Sequence, residues 1–337
     1  MTRSVWALAR MLGGAGILAL LLWRLGTGAF LDGLRVIDAG TLLVAFLIGL
    51  ATTVFSAWRW CLVARGLGLR LPLRAAIADY YKALFLNAAL PGGVLGDVER
   101  AVRHGKDEGD VGRGVRAVVL ERTAGQIVLI SVGVTVLLTV PSPVLSHLRA
   151  HAGLAAGTAA AALGAGAVVL LAGTRLRRST SRWASAARTG LAEIRVGLLA
   201  KRNWPGIVLA STVVLGGHLA TFVVAARAAG SSASLLRLAP LMLLALLAMT
   251  LPVSIGGWGP REGVTAWAFG AAGLSATEGL TIAVVYGLFA FVAALPGAVV
   301  LVGRAVARAR AARAARITDE PVVATPLAVR VLAATAA

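Results

Sequence analysis

Uninterrupted apolar runs recur along this chain, and a helix that crosses the ~30 Å hydrocarbon core of a bilayer needs about 20 such residues. Six stretches meet that requirement as full spans, at about 5–23, 40–58, 117–140, 152–173, 205–226 and 279–302. The runs are continuous rather than alternating. That selects helices over a β-barrel, because a helix satisfies every backbone polar group within its own segment. The balance of 58% hydrophobic against 14% charged residues agrees, since few water-soluble domains are built so. Arg24 directly follows the first run and no small-residue cleavage site comes after it, so the run reads as a retained signal anchor.

Two further apolar segments, about 75–90 and 235–272, are not simple spans. The first ends in Pro91, Gly92 and Gly93; the second is broken by Pro252, Gly256, Gly257, Gly259 and Pro260. Side by side they resemble each other, LPGGVLGDVER from Leu90 to Arg100 and LPVSIGGWGPRE from Leu251 to Glu262. The expected fold is therefore all-α and polytopic, with about six full spans and two re-entrant, broken helical segments in inverted repeats. Broken helices at membrane depth are tolerated where protein or a wet cavity covers the freed backbone, and inverted repeats of this kind are the recurring build of transporters.

The formal charge of +19 raises the question of nucleic acid, but the arginines lie between hydrophobic spans, as topology determination requires. With both broken segments re-entrant and the N-terminus inside, 26 of the 33 basic residues fall on the cytoplasmic side, 5 outside, and Arg122 and Arg261 within the membrane. This places a multi-pass protein in the cytoplasmic membrane with both termini cytoplasmic and no nucleic-acid partner. Residues 1–310 read as the transmembrane domain and 311–337 as a tail, first basic, then low in complexity and expected to be disordered. Cys61 is the only cysteine and reads as a packing residue; no disulfide, metal site or cofactor is expected.

Ionisable residues inside spans cost on the order of 3 kcal/mol or more without a partner, so they mark function. Glu121 and Arg122 open the third span, Arg261 and Glu262 follow the second break, and Asp97, Glu99 and Arg100 close the first. Arginines with neighbouring carboxylates suit a phosphate-bearing headgroup, because guanidinium pairs bidentately with phosphate oxygens. The plainer reading of Glu121 is a structural ion pair with Arg100 or Arg261. Asp79, Tyr80, Tyr81 and Lys82 read as weaker candidates, the tyrosines and lysine as interfacial anchors; Trp58, Arg59 and Trp60 read as an interfacial belt, and His218 as a helix-packing hydrogen bonder. No metalloprotease, Walker, nucleophile-elbow or dinucleotide motif is present, so no enzyme activity is expected.

Three blocks, LNAALPGGVLGDVERAVRH, VLERTAGQ and LPVSIGGWGPREG, resemble in this order the transmembrane-region family of lysylphosphatidylglycerol synthases, described as flippase-like membrane proteins. The resemblance covers roughly residues 5 to 310. It implies two re-entrant elements that move or present lipid headgroups between leaflets. It also marks Asn87, Pro91, Gly92, Gly93, Gly96, Asp97, Arg100, Glu121, Arg122, Gly256, Gly257, Gly259, Arg261 and Glu262 as the motif positions expected to bind substrate. Pro260 departs from the pattern, where a small or β-branched residue is expected. Bifunctional members carry an aminoacyl-transferase domain after the membrane part; none follows the basic tail here, so aminoacylation is not expected. The leading expectation is a flippase-like protein for an anionic phospholipid or lipid-linked headgroup, with membrane lipids as partners and homo-oligomerisation left open. The competing expectations are a scaffold for a separate lipid-modifying enzyme, working through the basic loop from Arg175 to Arg202, and a lipid-linked glycosyl transferase using Asp97 and Glu99.

Overall fold

The computed structural model describes residues 19–20, 23, 28–90, 93–150, 196–198, 200, 202–250 and 258–318. Expected spans 5–23 and 152–173 lie outside these, apart from positions 19, 20 and 23, as do most of the basic loop and motif residues Pro91, Gly92, Gly256 and Gly257. Regular structure among the described residues is helical, without strands. The helices are α1 (Gly28–Arg35), α2 (Ala39–Gly66), α3 (Leu73–Ala89), α4 (Leu95–Asp107), α5 (Val111–Thr139) and α6 (Pro143–Ala150). After these come α7 (Trp204–Ala228), α8 (Leu235–Ala248), α9 (Pro260–Ala271), α10 (Ala276–Ala294) and α11 (Pro296–Thr318). The chain divides into two compact units, residues 1–297 and 298–337, and the second is helical as far as Thr318.

Four helical stretches are long and apolar enough to cross a membrane, Ala39–Gly66, Val111–Thr139, Trp204–Ala228 and Ala276–Ala311. Their outer faces agree, for Leu43, Leu47 and Leu50 stand exposed on one stripe of α2, and Ile127, Ile130, Val134 and Leu138 on one of α5. Apolar side chains exposed in such rows have lipid as their natural solvent. The chain is thus an all-α, multi-pass membrane protein.

Local chemistry sets the helix ends. Asp38 caps α2, its carboxylate accepting from the Gly40 and Thr41 amides at 2.7 and 2.9 Å. The Thr41 amide, with the Gly40 amide beside it, holds that carboxyl below its ordinary range. α2 then runs on to Gly66, eight residues beyond the span expected at 40–58, and Gly68 closes it at φ +76°. This corrects the interfacial reading of Arg59 and Trp60. The helix carries Arg59 and Trp60 into the interior, where both are buried, because no breaker precedes Gly66 and a carboxylate on α5 awaits the arginine.

α7, α9 and α10 begin at residues 204, 260 and 276, each 165 positions after the starts of α2, α4 and α5 at 39, 95 and 111. Packing follows the same exchange. α4 packs on α5 as α9 does on α10, α3 on α4 as α8 on α9, α3 on α10 as α8 on α5, and α2 on α10 as α7 on α5. The self-paired contact is α2 on α7, where Leu62 meets Asn203, Arg59 meets Ser211 and Thr52 meets Gly217. Rising numbers on one helix meet falling numbers on the other, so α2 and α7 are antiparallel. A two-fold that exchanges antiparallel helices lies across them, which makes the two halves inverted repeats.

Each half holds a helical hairpin. α3 and α4 are zipped antiparallel by ion pairs Asp79–Arg103 and Lys82–Glu99 and by Asn87 against Asp97 at 3.1 Å. Asp79, Tyr80, Tyr81 and Lys82 are accordingly buried against protein. The reading of the tyrosines and lysine as interfacial anchors is corrected, because α4 engages Lys82 through Glu99 while Tyr80 meets Glu121 on α5 and Tyr81 meets Thr53 on α2. At Gly96 the turn comes so close to the Ala83 backbone that a Cβ has no room. α4 in turn pairs antiparallel with α5, Gly105 against Gly114 and Asp97 against Arg122. That register sets Leu95 level with about residue 124, near the middle of α5. α9 pairs likewise with α10, Phe269 over Gly279 and Arg261 over Gly287, so Pro260 lies about eleven residues, or ~16 Å, along α10. Both hairpins therefore stop about halfway along the spans that carry them. One apolar core fills the second half around Phe222, Leu241, Phe269, Ile282 and Phe289. A second core, around Trp60, Tyr80, Ala101 and Val118, fills the first and takes in the buried Cys61.

Candidate functional site

The first hairpin delivers its polar residues to one carboxylate. Glu121, wholly enclosed on α5, accepts from Arg59 Nε and Nη2 at 3.0 and 2.6 Å, from Arg100 Nη2 at 2.8 Å and from Tyr80 Oη at 3.3 Å. Arg59 also donates to Ser211 Oγ on α7 at 3.0 Å, which ties both halves together. A Cβ at Gly125 would come within 2.9 Å of Arg59 Nη1, so the absent side chain gives the guanidinium its path. Asp97 is the second carboxylate. It accepts from Arg100 Nε at 2.9 Å and holds Arg122 Nη2 with both oxygens, at 2.8 and 2.9 Å. Asn87 orients it through Nδ2 and accepts the Gly96 amide at 2.8 Å.

Aromatic faces complete the enclosure. The Arg100 guanidinium lies 4.6 Å from the Trp60 ring centre and 4.5 Å from that of Tyr80, with Arg122 at 5.5 Å from Tyr80. His104, outside the spans, meets Trp60 edge-on at 5.5 Å, and burial lowers its pKa from the ordinary value.

Charge does not balance here. Arg59, Arg100 and Arg122 face Glu121 and Asp97, leaving one positive charge in excess. Arg59 and Arg100 are buried among protein partners. Arg122 differs: 39% of its side chain is exposed and only its Nη2 is hydrogen-bonded, to Asp97, while its buried Nε, like the buried Nη1 of Arg100, has no hydrogen-bond partner.

The second hairpin is neutral by comparison. Arg261 and Glu262 pair with each other, Arg261 Nε donating at 2.8 Å, and Glu262 accepts the Gly259 amide at 2.7 Å. Arg261 lies 4.9 Å from the Trp258 ring centre and 5.3 Å from that of Tyr286, whose hydroxyl is 3.0 Å from His218 Nδ1. Gly259 adopts φ +112° and Gly93 φ +61°, a glycine conformation just before each second half-helix. Pro260, the departure from the family pattern, occupies the first turn of α9, where its missing N–H has no partner to lose.

Of the expected site residues, Asn87, Gly96, Asp97, Arg100, Glu121 and Arg122 come together, with Gly93 at the hairpin turn; Gly259, Arg261 and Glu262 form a separate group. Among the described residues no hydrogen bond or ion pair joins the two groups directly; Tyr286 and His218 lie between them. Sequence reasoning set Arg59 and Trp60 at the interface, ranked Tyr80 among the weaker candidates and missed Ser211. A signal existed for Arg59, since a charge directly after an apolar run, without a breaker, can still be inside the helix. Among the described residues no three His, Cys, Asp or Glu side chains gather as a metal site.

Fold and site together define a multi-pass helical membrane protein built as inverted repeats, with ionisable groups gathered at mid-helix depth. The family model described as Lysylphosphatidylglycerol synthase TM region matches residues 6–297, and the chain belongs to that family, a membrane protein of the lysylphosphatidylglycerol synthase/flippase type. Searches of curated proteins and of solved structures returned no match.

Proposed function

We propose that this protein translocates or presents an anionic phospholipid or lipid-linked headgroup across the cytoplasmic membrane, without chemistry of its own, and with both termini cytoplasmic. The observation that carries the reading is the surplus guanidinium. A cluster of three arginines and two carboxylates inside the bundle needs one more anion, and Arg122 is the member whose side chain is 39% exposed, with only its Nη2 hydrogen-bonded. Arg122 stands five residues, about 7 Å, inside the apolar stretch that begins at 117, so a phosphate reaching it has entered the hydrocarbon layer. Asp97 fixes its angle, while Arg100 and Glu121 hold Asp97 and the hairpin in place. Hairpins that stop halfway along their spans support re-entrance from opposite faces, which leaves a headgroup path while acyl tails stay in lipid.

The test is translocation of labelled phosphatidylglycerol in vesicles holding the purified protein. Arg122→Ala is expected to lose most of the activity of the parent. Equal rates for the two would overturn the reading.

A further inference from the structure

α7 buries Ile207, Ser211, Leu215, Phe222 and Ala225 on one stripe. His218 lies three residues after Leu215, seven after Ser211, four before Phe222 and seven before Ala225. At 3.6 residues per turn it points with them, toward the protein and away from lipid. Its stripe neighbours are buried, yet His218 is exposed. An inward-pointing residue near the middle of a span that the packed helices leave exposed marks an opening in the protein surface beside it.

Tyr286 holds one side of the ring, its Oη 3.0 Å from Nδ1, and Arg261 against Tyr286 steadies that phenol in turn. No described group engages Nε2. Arg59 and Arg122 both act on the imidazole electrostatically, and α5 packs on α7. The exposed guanidinium of Arg122 and the open ring nitrogen of His218 thus come from different halves of the repeat and lie within electrostatic reach of each other. The tautomer that accepts the Tyr286 hydroxyl proton at Nδ1 carries its ring proton on Nε2.

Resting on the proposed function, we infer that His218 is a positioning and specificity residue of the headgroup site, its Nε2–H donating to a phosphate oxygen that Arg122 holds by charge. A guanidinium alone attracts any anion. A second donor at a fixed angle adds selection for a group with several acceptor oxygens.

The full-length protein, labelled with nitrogen-15 at histidine and held in a maltoside detergent that carries no phosphate, tests this by magnetic resonance. The His218 ring signals are identified by their loss in His218→Gln. Phosphatidylglycerol is expected to move the Nε2 signal, and diacylglycerol is not. Inorganic phosphate moving it while phosphatidylglycerol does not would overturn the inference in favour of a free anion, and a signal unmoved by either would overturn it outright. In vesicles, His218→Leu should lower phosphatidylglycerol translocation roughly 10- to 100-fold, the effect of one lost hydrogen bond to a charged group. His218→Gln, which keeps an N–H donor, should recover part of it. If His218→Leu equals the parent while Arg122→Ala is inactive, this inference falls and the proposed function stands; if both equal the parent, both fall.

Discussion

Replacing Glu121 by Gln keeps the shape of the side chain and removes one negative charge from the centre of the first half. Arg59 and Arg100 would then face an amide, and the local balance would move from three cations against two anions to three against one. Both arginines are buried, so water cannot compensate them. Breaking a buried pair by removing one partner costs about 3–5 kcal/mol, because the charge left behind stays desolvated. At ~2 °C per kcal/mol, the thermal midpoint of the purified protein in detergent should fall by about 6–10 °C.

The sign of a second substitution separates this account from simple disruption. Adding Arg59→Met to Glu121→Gln restores the original surplus of one charge and replaces the buried pair by apolar and neutral groups of similar size. Such replacements are often neutral or stabilising, so the double variant should melt above Glu121→Gln and close to the parent. A double variant that melts at or below Glu121→Gln, or a Glu121→Gln within 1–2 °C of the parent, would refute the claim that uncompensated charge dominates the cost.

Gly259→Ala places a Cβ at φ +112°, a conformation costing on the order of 1–3 kcal/mol for other residues, and should lower the thermal midpoint while leaving the helix content unchanged by circular dichroism. His104 is held neutral by burial, against the opposing pull of Glu108 and Asp107 and with the help of Arg103. Its folded pKa lies below the unfolded value of about 6.5, so its contribution is full above that value and is lost as pH falls through the folded pKa. Melting from about pH 8 to about pH 5 should therefore show a decline that His104→Phe reduces; an equal decline in both would remove His104 as the cause.

Run length made four of the six expected spans legible, and the Gly–Pro breaks made both hairpins legible, because backbone that leaves a helix inside a membrane has few sequences open to it. The motif carboxylates were legible for a related reason: Asp97, Glu121 and Glu262 have no cheap place in lipid, so each had to have a partner. Which partner was another matter. Arg59 lies on α2, Glu121 on α5 and Ser211 on α7, and only the antiparallel crossing of α2 and α7 brings them together. Trp60 and Tyr80 look like interface residues by composition. They are interior because Arg100 needs aromatic faces on both sides where hydrogen bonds run out. His218 reads correctly as a hydrogen bonder to a neighbouring helix, but its exposure on an inward stripe appears only when the bundle closes around it.

The offset of 165 residues between the halves also explains why the two motifs, alike in sequence, differ in what they can hold. Asp97 corresponds to Glu262, so each hairpin carries a carboxylate at the same place. The arginine that answers it comes from opposite sides of the interface. In the first half it is Arg122, on the span, and Gly96 sits on the half-helix; in the second it is Arg261, on the half-helix, and Gly287 sits on the span, where any Cβ would strike the guanidinium. An arginine next in sequence to its carboxylate folds back on it and is used up, as Arg261 is, nearly buried between Trp258 and Tyr286. An arginine that reaches across from a neighbouring helix can be held by one nitrogen and stay partly exposed, as Arg122 is. Glu121 corresponds to Tyr286, so the second half also lacks the carboxylate that gathers three cations in the first. Inversion thus supplies two hairpins of like shape and unlike charge: the first can attract an anion, and the second, nearly neutral, presents aromatic faces and His218 beside it.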